Sequence, residues 1–437
     1  MNVVRYSMIM AAFVVGWLGL ASAASAATFR TCIKWEVQTA DSGRQIPYGP
    51  NAGATEDRYP TADQGVIASA VGVRIRIQGS GFDQTFDTEP NTGCVTWSDT
   101  DGKTYSVRVY AYQTDAAGNY VRMHTHTTNC SSYPGSTYSA LLTGYNPTAG
   151  GTNYLYVGDY VPYWTGQAMV GYGLYRYHGP LQNKAIHVSR DTASDCYDSA
   201  HYGNSNGYIT SGRHCIRLSD CGTKQRINMK FVANHELGHA MAALHYGSKS
   251  GASNGGEPNA DPSWSGPVDQ NRCLNGGSGY DITDVEYNSI GFREGFAHFY
   301  SARVFNDKST EGAFNWMNHP WGAQDLERYD WGQGTSSGGE LENICCNASP
   351  CRTGNGIIGD WLRFFWDWYT NQSTSCPYQP DGDDMLELYA QTRLEGNLQK
   401  NNYFGKMQDG AQNLPLPACL KGARFDAYAA HNGIDNE

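Results

Sequence analysis

The amino-acid sequence predicts an α+β protein, with an N-terminal antiparallel β-sandwich followed by a larger part in which helices and strands are mixed. Three observations carry this prediction. From Cys32 to about residue 125 apolar residues recur at every second position, the period of a half-buried strand. Beyond residue 155 long segments change to the three- and four-residue spacing of helices. A stretch rich in Ser, Gly, Asn and Pro, "NCSSYPGSTYSALLTGYNPTAGGTN", lies between the two patterns and reads as a connection over residues 131–154.

Residues 1–26 come first and read as a secretory signal peptide. Arg5 is their only charge, an apolar run extends from Ser7 to Leu20, and "ASAASA" offers small-x-small cleavage sites. That run is short for a bilayer span, and no later segment is apolar enough for one. The expected location is therefore the periplasm or the medium, between which the sequence does not choose. All twelve cysteines follow the signal, and an even number in an exported chain predicts disulfides, with the pairing left open. Cys345, Cys346 and Cys351 crowd one loop, where disulfides are preferred to a zinc knuckle.

Residues 27–130 form the predicted sandwich. "CIKWEV" alternates Ile33, Trp35 and Val37 against Lys34 and Glu36, and "VRIRI" and "YSVRVYA" repeat the pattern. Asp101-Gly102 between two such runs marks a hairpin, because glycine supplies the positive φ of a tight turn. Near the end stand His124 and His126, which alternation aims at one face. Two polar residues on a solvated face is the reading preferred there to a metal site.

Residues 155–437 form the second predicted domain, and about 410 residues after the signal exceed one core of ordinary size. "VPYWTGQAMVGYGLYRYH" has helical spacing in spite of its glycines, and "KAIHVSRD" and "HCIRLSD" read as strands. "RINMKFVANHELGHAMAALHYG" is the strongest helix, and a loop from Gly247 to about Asp284 is too long for an ordinary connection. "SIGFREGFAHFYSARVF" and "GDWLRFFWDWYTNQ" are two further helices, the second with aromatic rings assigned to core rather than to a sugar site. Pro380 to Met385, "PDGDDM", reads as acidic capping of a helix in preference to a calcium loop. A formal charge of −11 excludes a nucleic-acid partner, which needs a basic surface, and nothing Lys/Arg-rich points to a membrane surface. The oligomeric state stays open.

"NHELGHAMAALHYG" concentrates the chemistry. Residues four apart on an α-helix differ by about 40° in azimuth and about 6 Å along the axis, so His235 and His239 share one face on successive turns. Two imidazole nitrogens so placed can reach one ion at roughly 2.0 to 2.1 Å. Glu236, beside the first histidine, is placed to meet an ion-bound water without ligating the ion. Three polar groups set among Phe231, Val232, Leu237, Ala240, Met241 and Leu244 would otherwise each need a partner.

A third ligand is required, and two residues compete. His245 completes the H-E-x-x-H-x-x-x-x-x-H spacing of metzincin peptidases, which break the helix with a glycine three residues after the second histidine. Here Ala242, Ala243 and Leu244 occupy that stretch, and a continued helix carries His245 about 9 Å further along and about 120° around. The other is Glu294. "REGFAHF" resembles the E-G-F-A segment in which several gluzincins, the thermolysin-like enzymes and metallo-aminopeptidases, carry a glutamate ligand on a second helix.

The specific motifs of this resemblance cover only about 25 residues. It implies a zincin-like catalytic domain over 155–437, Zn²⁺ on His235, His239 and Glu294, and Glu236 as general base in peptide hydrolysis. Two features depart from the family pattern. The Gly-rich segment is an insertion, and His298 stands where thermolysin-like relatives have an aspartate one turn after the ligand glutamate. His298 is either a neutral partner of a ligand histidine or an ordinary packed residue. Among the tyrosines, Tyr280 and Tyr300 are two of several candidates for oxyanion assistance. The sequence thus predicts a secreted zinc metallopeptidase acting on a peptide or protein substrate. The alternative is an exported binding or adhesion protein whose zincin-like part is inactive.

Overall fold

The fold is taken from a computed structural model, which describes residues 26–38, 65–124, 136–157, 162–175, 181–191, 201–202, 214–219, 230–249, 288–306, 308, 315–319, 322–325, 358–371, 373–395, 403–432 and 434. It is an α+β protein. Residues 1–25, His126, the stretch 251–284, Cys345, Cys346 and Cys351 lie outside the described residues, while Ala26 already belongs to the first strand.

The smaller sheet is built on β1 (Ala26–Gln38). Its first half pairs antiparallel with β5 (Cys94–Thr100) and its second half with β2 (Gly65–Ser69), and β9 (Thr152–Val157) joins it in parallel. The larger sheet contains β3 (Val73–Gly79), β4 (Phe82–Asp87), β6 (Tyr105–Thr114), β7 (Tyr120–His124), β10 (Ala185–Asp191), β11 (His201–Tyr202) and β12 (His214–Ser219). Their order is β11-β12-β10-β7-β6-β3-β4, with β8 (Ser139–Tyr145) paired to β6.

Alternation does what the sequence predicts. Val73, Ile75 and Ile77 of β3 and Val107, Val109 and Ala111 of β6 are buried on one face. That face packs on the small sheet through rings: Phe29 lies 4.6 Å from Trp97, and Trp97 lies 4.8 Å from Tyr105. Gly102 closes the predicted hairpin with φ 77°. A disulfide joins Cys32 and Cys94, which are register partners across β1 and β5, and a second joins Cys376 to Cys419. No cysteine is free among the described residues.

Both sheets extend past the expected boundary. Residues 131–154, read as a connection, contain β8 and the first half of β9, because Ala140 and Leu142, with Leu155 just beyond, supply the apolar alternation that the Ser, Gly and Pro content masks. β10 then pairs in parallel with β7, which carries the larger sheet from the N-terminal half into the C-terminal half. The buried apolar side chains of both halves form one continuous core.

Helices cover the extended sheet. α1 (Pro162–Tyr175) lies on it, where Gln167 donates to the Val121 carbonyl at 3.2 Å and Tyr175 donates to the Thr114 carbonyl at 2.7 Å. α2 (Lys230–Gly247) packs on α1, with Asn234 donating to the Met169 carbonyl at 3.0 Å. α3 (Asn288–Phe305) packs on α2, and α4 (Ile358–Thr370) on α3. The aromatic rings of α4 are core, as expected: Trp361, Phe364, Phe365, Trp366 and Trp368 are fully buried.

α5 (Gly382–Leu394) lies against α2, followed by α6 (Tyr403–Gln412), α7 (Ala418–Lys421) and α8 (Ala423–His431). The acidic segment Pro380–Met385 is the predicted cap: the Asp381 carboxylate accepts from the Asp383 and Asp384 amides, and Asp384 accepts from the Asp381 amide in return. A hairpin of β13 (Asn315–His319) and β14 (Gly322–Asp325) stands apart from both sheets. No helix among the described residues is long and apolar enough to cross a membrane.

Candidate metal centre

α2 is buried from Lys230 to Tyr246, so its histidines project into the interior rather than into water. The four-residue spacing brings the Nε2 atoms of His235 and His239 within 3.0 Å of each other. α3 crosses α2 closely enough for Glu294 to bring its Oε2 to 3.1 Å from the first and 3.2 Å from the second. Three donor atoms from two helices thus make a nearly equilateral triangle, and among the described residues this is the one His/Cys/Asp/Glu group able to hold a metal ion.

Glycine makes that crossing possible. A Cβ on Gly238, inside the motif, would meet Cβ of Tyr300 at 2.8 Å and Cα of Ala297 at 3.0 Å. On the other face of α3, a Cβ on Gly295, next to Glu294, would meet Cβ of Trp361 at 2.4 Å. The two glycines let α2, α3 and α4 approach backbone to side chain, and no larger residue at either position permits the same spacing.

The donors fit an ion on two grounds. Tetrahedral coordination at 2.0 to 2.2 Å separates neighbouring donors by roughly 3.3 to 3.6 Å, a few tenths of an ångström more than the triangle's edges. Two imidazoles and a carboxylate are also a donor set of the kind that zinc takes. Burial pushes Glu294 toward its neutral form, but His239, Arg293 and the histidine hydrogen bonds outweigh it and hold its carboxyl well below the usual 4.5. Glu294 is therefore a carboxylate, and its other oxygen is engaged: Arg293 donates to Oε1 from Nε at 3.1 Å and from Nη2 at 2.8 Å. This leaves Oε2 for the triangle.

Two further groups belong to the same two helices. Glu236 is 6% exposed, between the two histidines in sequence and on the same buried helix. His298, one turn after Glu294, brings its Nδ1 to 3.0 Å from Nδ1 of His235. Desolvation and then the neighbouring His235 lower His298 well below the usual 6.5, against the pull of Glu294.

His245 is not part of the triangle. The helix continues through it, as Ala242 and Ala243 predict, and its Nε2 meets Glu387 of α5 at 2.8 Å. Lys249 pairs with the same carboxylate oxygen. Tyr300 is buried and donates its hydroxyl to the Gly173 carbonyl at 3.3 Å, which argues against it as an oxyanion group, and Tyr280 lies outside the described residues.

His124 departs from its expected solvated face. It is 2% exposed, and its Nε2 lies 2.8 Å from Nδ1 of His187, because β10 lies beside β7 and covers what would have been an edge. Sequence reasoning did not single out Arg293, Glu387, Gly238 or Gly295. Arg293 was visible only as the neighbour of a candidate ligand, and Glu387 is 142 residues from its histidine with no pattern linking them. Comparisons with protein-family models, curated proteins and solved structures each return no match, so the chemistry of the centre alone carries the functional reading.

Proposed function

We propose that this chain is a zinc-dependent peptidase, with His235, His239 and Glu294 as ligands in a gluzincin-like arrangement and Glu236 as the general base. The observation that carries the reading is the buried His, His, Glu triangle with edges of 3.0 to 3.2 Å, with the buried Glu236 next to its first histidine in sequence. Two imidazoles and one carboxylate are a zinc-type donor set. The contact between His245 and Glu387 favours Glu294 over His245 as third ligand.

A zinc ion held there supplies Lewis acidity toward a carbonyl oxygen and makes a water acidic near neutral pH. The chain's own groups do the rest. Glu236, kept in a low-dielectric interior, accepts a proton from the attacking water and returns it to the leaving nitrogen as the peptide C–N bond breaks. Arg293 offsets the charge of Glu294 through Oε1. His235 and His239 stay fixed by the buried face of α2. The two disulfides among the described residues agree with an oxidising, extracytoplasmic setting for such an enzyme.

Metal analysis of the purified full-length chain, paired with hydrolysis of a mixed peptide library with and without chelator, tests this. One zinc per chain and chelator-sensitive cleavage are expected. Glu236→Gln keeps the metal and loses roughly 10²- to 10⁴-fold in rate. Wild-type rates in that variant would remove Glu236 as base. A binding function that survives both the chelator and the substitution would favour a non-enzymatic role instead.

A further inference from the structure

We propose that His298 is a positioning residue of this centre: its Nδ1 accepts the Nδ1–H of His235 and thereby holds the ligand ring with a bare Nε2 turned toward the other two donors. The inference rests on the metal-centre reading and adds to it the hydrogen-bond acceptor that the first ligand requires.

A neutral imidazole carries one N–H. His235 directs Nε2 to within 3.0 Å of His239 Nε2 and 3.1 Å of Glu294 Oε2, so a lone pair, not a proton, must occupy that corner when an ion is held. Its proton then sits on Nδ1. The atom facing Nδ1 at 3.0 Å is Nδ1 of His298, which in turn must present a lone pair and carry its own proton on Nε2. One contact thus fixes two tautomers. The rings lie 4.0 Å apart between centroids at 45°, so the pair is also packed against rotation.

The placement has a helical logic. His298 follows Glu294 by four residues on α3, just as His239 follows His235 on α2, so one face of α3 delivers both the carboxylate donor and the acceptor that orients a donor on the other helix. An imidazole does this without adding negative charge, and Arg293 already offsets Glu294. The ion's charge is then less compensated than it would be beside a second carboxylate.

Side-chain topology makes the inference testable. Oδ1 of Asn or Asp is bonded to Cγ, as Nδ1 of His is, so both can put an acceptor where Nδ1 now lies, whereas Leu fills space without one. Zn²⁺ affinity of the full-length chain is read by competition with a chromophoric chelator, with circular dichroism as the check on folding. His298→Leu is expected to weaken binding about 10- to 100-fold. His298→Asn should return it close to wild type, and His298→Asp should bind more tightly than wild type, because a carboxylate raises the basicity of the ligand ring.

Unchanged affinity in His298→Leu overturns the inference, and so does an equal loss in the Leu and Asn variants, which is what a packing role predicts. Should the Leu variant not fold, weaker binding by both His298→Asn and His298→Asp overturns it. A wild-type chain that takes up no Zn²⁺ defeats the metal centre itself, an outcome separate from wild-type binding that His298→Leu leaves intact.

Discussion

Two glutamates sort the histidines of α2. Glu294 draws His235 and His239 into one triangle, while Glu387 holds His245 on another side of the helix. Zinc content after substitution separates these roles: Glu294→Ala should lose most of its metal, and His245→Ala should keep it. The reverse result would restore the metzincin spacing. Glu387 also makes a pH prediction. The hydrogen bond from His245, opposed by burial and reinforced by Gln391 and Lys249, lowers its carboxyl from the usual 4.5 to about 2. A depressed folded-state value means that its contribution to stability is complete above about pH 4.5 and drains away as pH falls toward about 2. Melting temperature against pH should therefore fall less steeply across that window in Glu387→Gln than in the wild type, and parallel curves would show that the contact contributes nothing. At this scale the His-Glu-x-x-His set was legible because its spacing is local and periodic. Glu294 was legible only through a resemblance, and Arg293 and Glu387 hardly at all, since packing that joins distant segments leaves no periodic trace.

Among the elements, the contact between α2 and α3 decides whether the triangle closes. Helical glycine is normally a cost, of about 1 kcal/mol relative to alanine, so Gly238→Ala would stabilise an isolated helix. In this chain the added methyl would come within 2.8 Å of the Tyr300 Cβ and 3.0 Å of the Ala297 Cα, neither of which can swing aside as a flexible side-chain tip does. The helices must part. Gly238→Ala is expected to destabilise by about 1 to 3 kcal/mol in spite of its propensity gain, and to weaken Zn²⁺ binding as Glu294 moves off. A stabilised variant with full affinity would show that the helices have room to spare. The same reasoning explains why the glycines of "VPYWTGQAMVGYGLYRYH" did not prevent a helix. A Cβ on Gly171 would lie 1.8 Å from Gln113 Oε1 and one on Gly173 would lie 1.8 Å from Asn234 Oδ1, so both are sites of close approach by neighbouring elements. Alternation and helical spacing located the elements, but the glycine positions acquired meaning only with their neighbours in view.

Across the whole molecule, composition misled where topology decided. The Ser, Gly and Pro content of residues 131–154 reads as a linker, yet β8 within it and β9, which begins in it, pair with β6 and β1, and β10 beyond it pairs with β7. Two halves that share two sheets also share a core: Trp164 of α1 packs 6.2 Å from Trp35 of β1 and 5.1 Å from Tyr138, and Gln167 bonds the backbone of β7. A fragment of residues 155–437 would keep the metal-binding residues while losing every strand on the β7 side of β10. Its sheet would end in an unpaired edge, and the face of α1 that now covers β6 and β7 would be bare. The fragment is therefore expected to aggregate or to melt without cooperativity and to bind Zn²⁺ far more weakly than the full chain, even though His235, His239 and Glu294 are all present. Calorimetry and a zinc titration on the two chains compare them directly. A cooperative melt with full affinity in the fragment would mean that the C-terminal part folds alone and that the shared sheets are dispensable. Failure of both would place the origin of the centre's geometry in the N-terminal strands, through the chain of contacts from β6 and β7 to α1, from α1 to α2, and from α2 to Glu294 on α3.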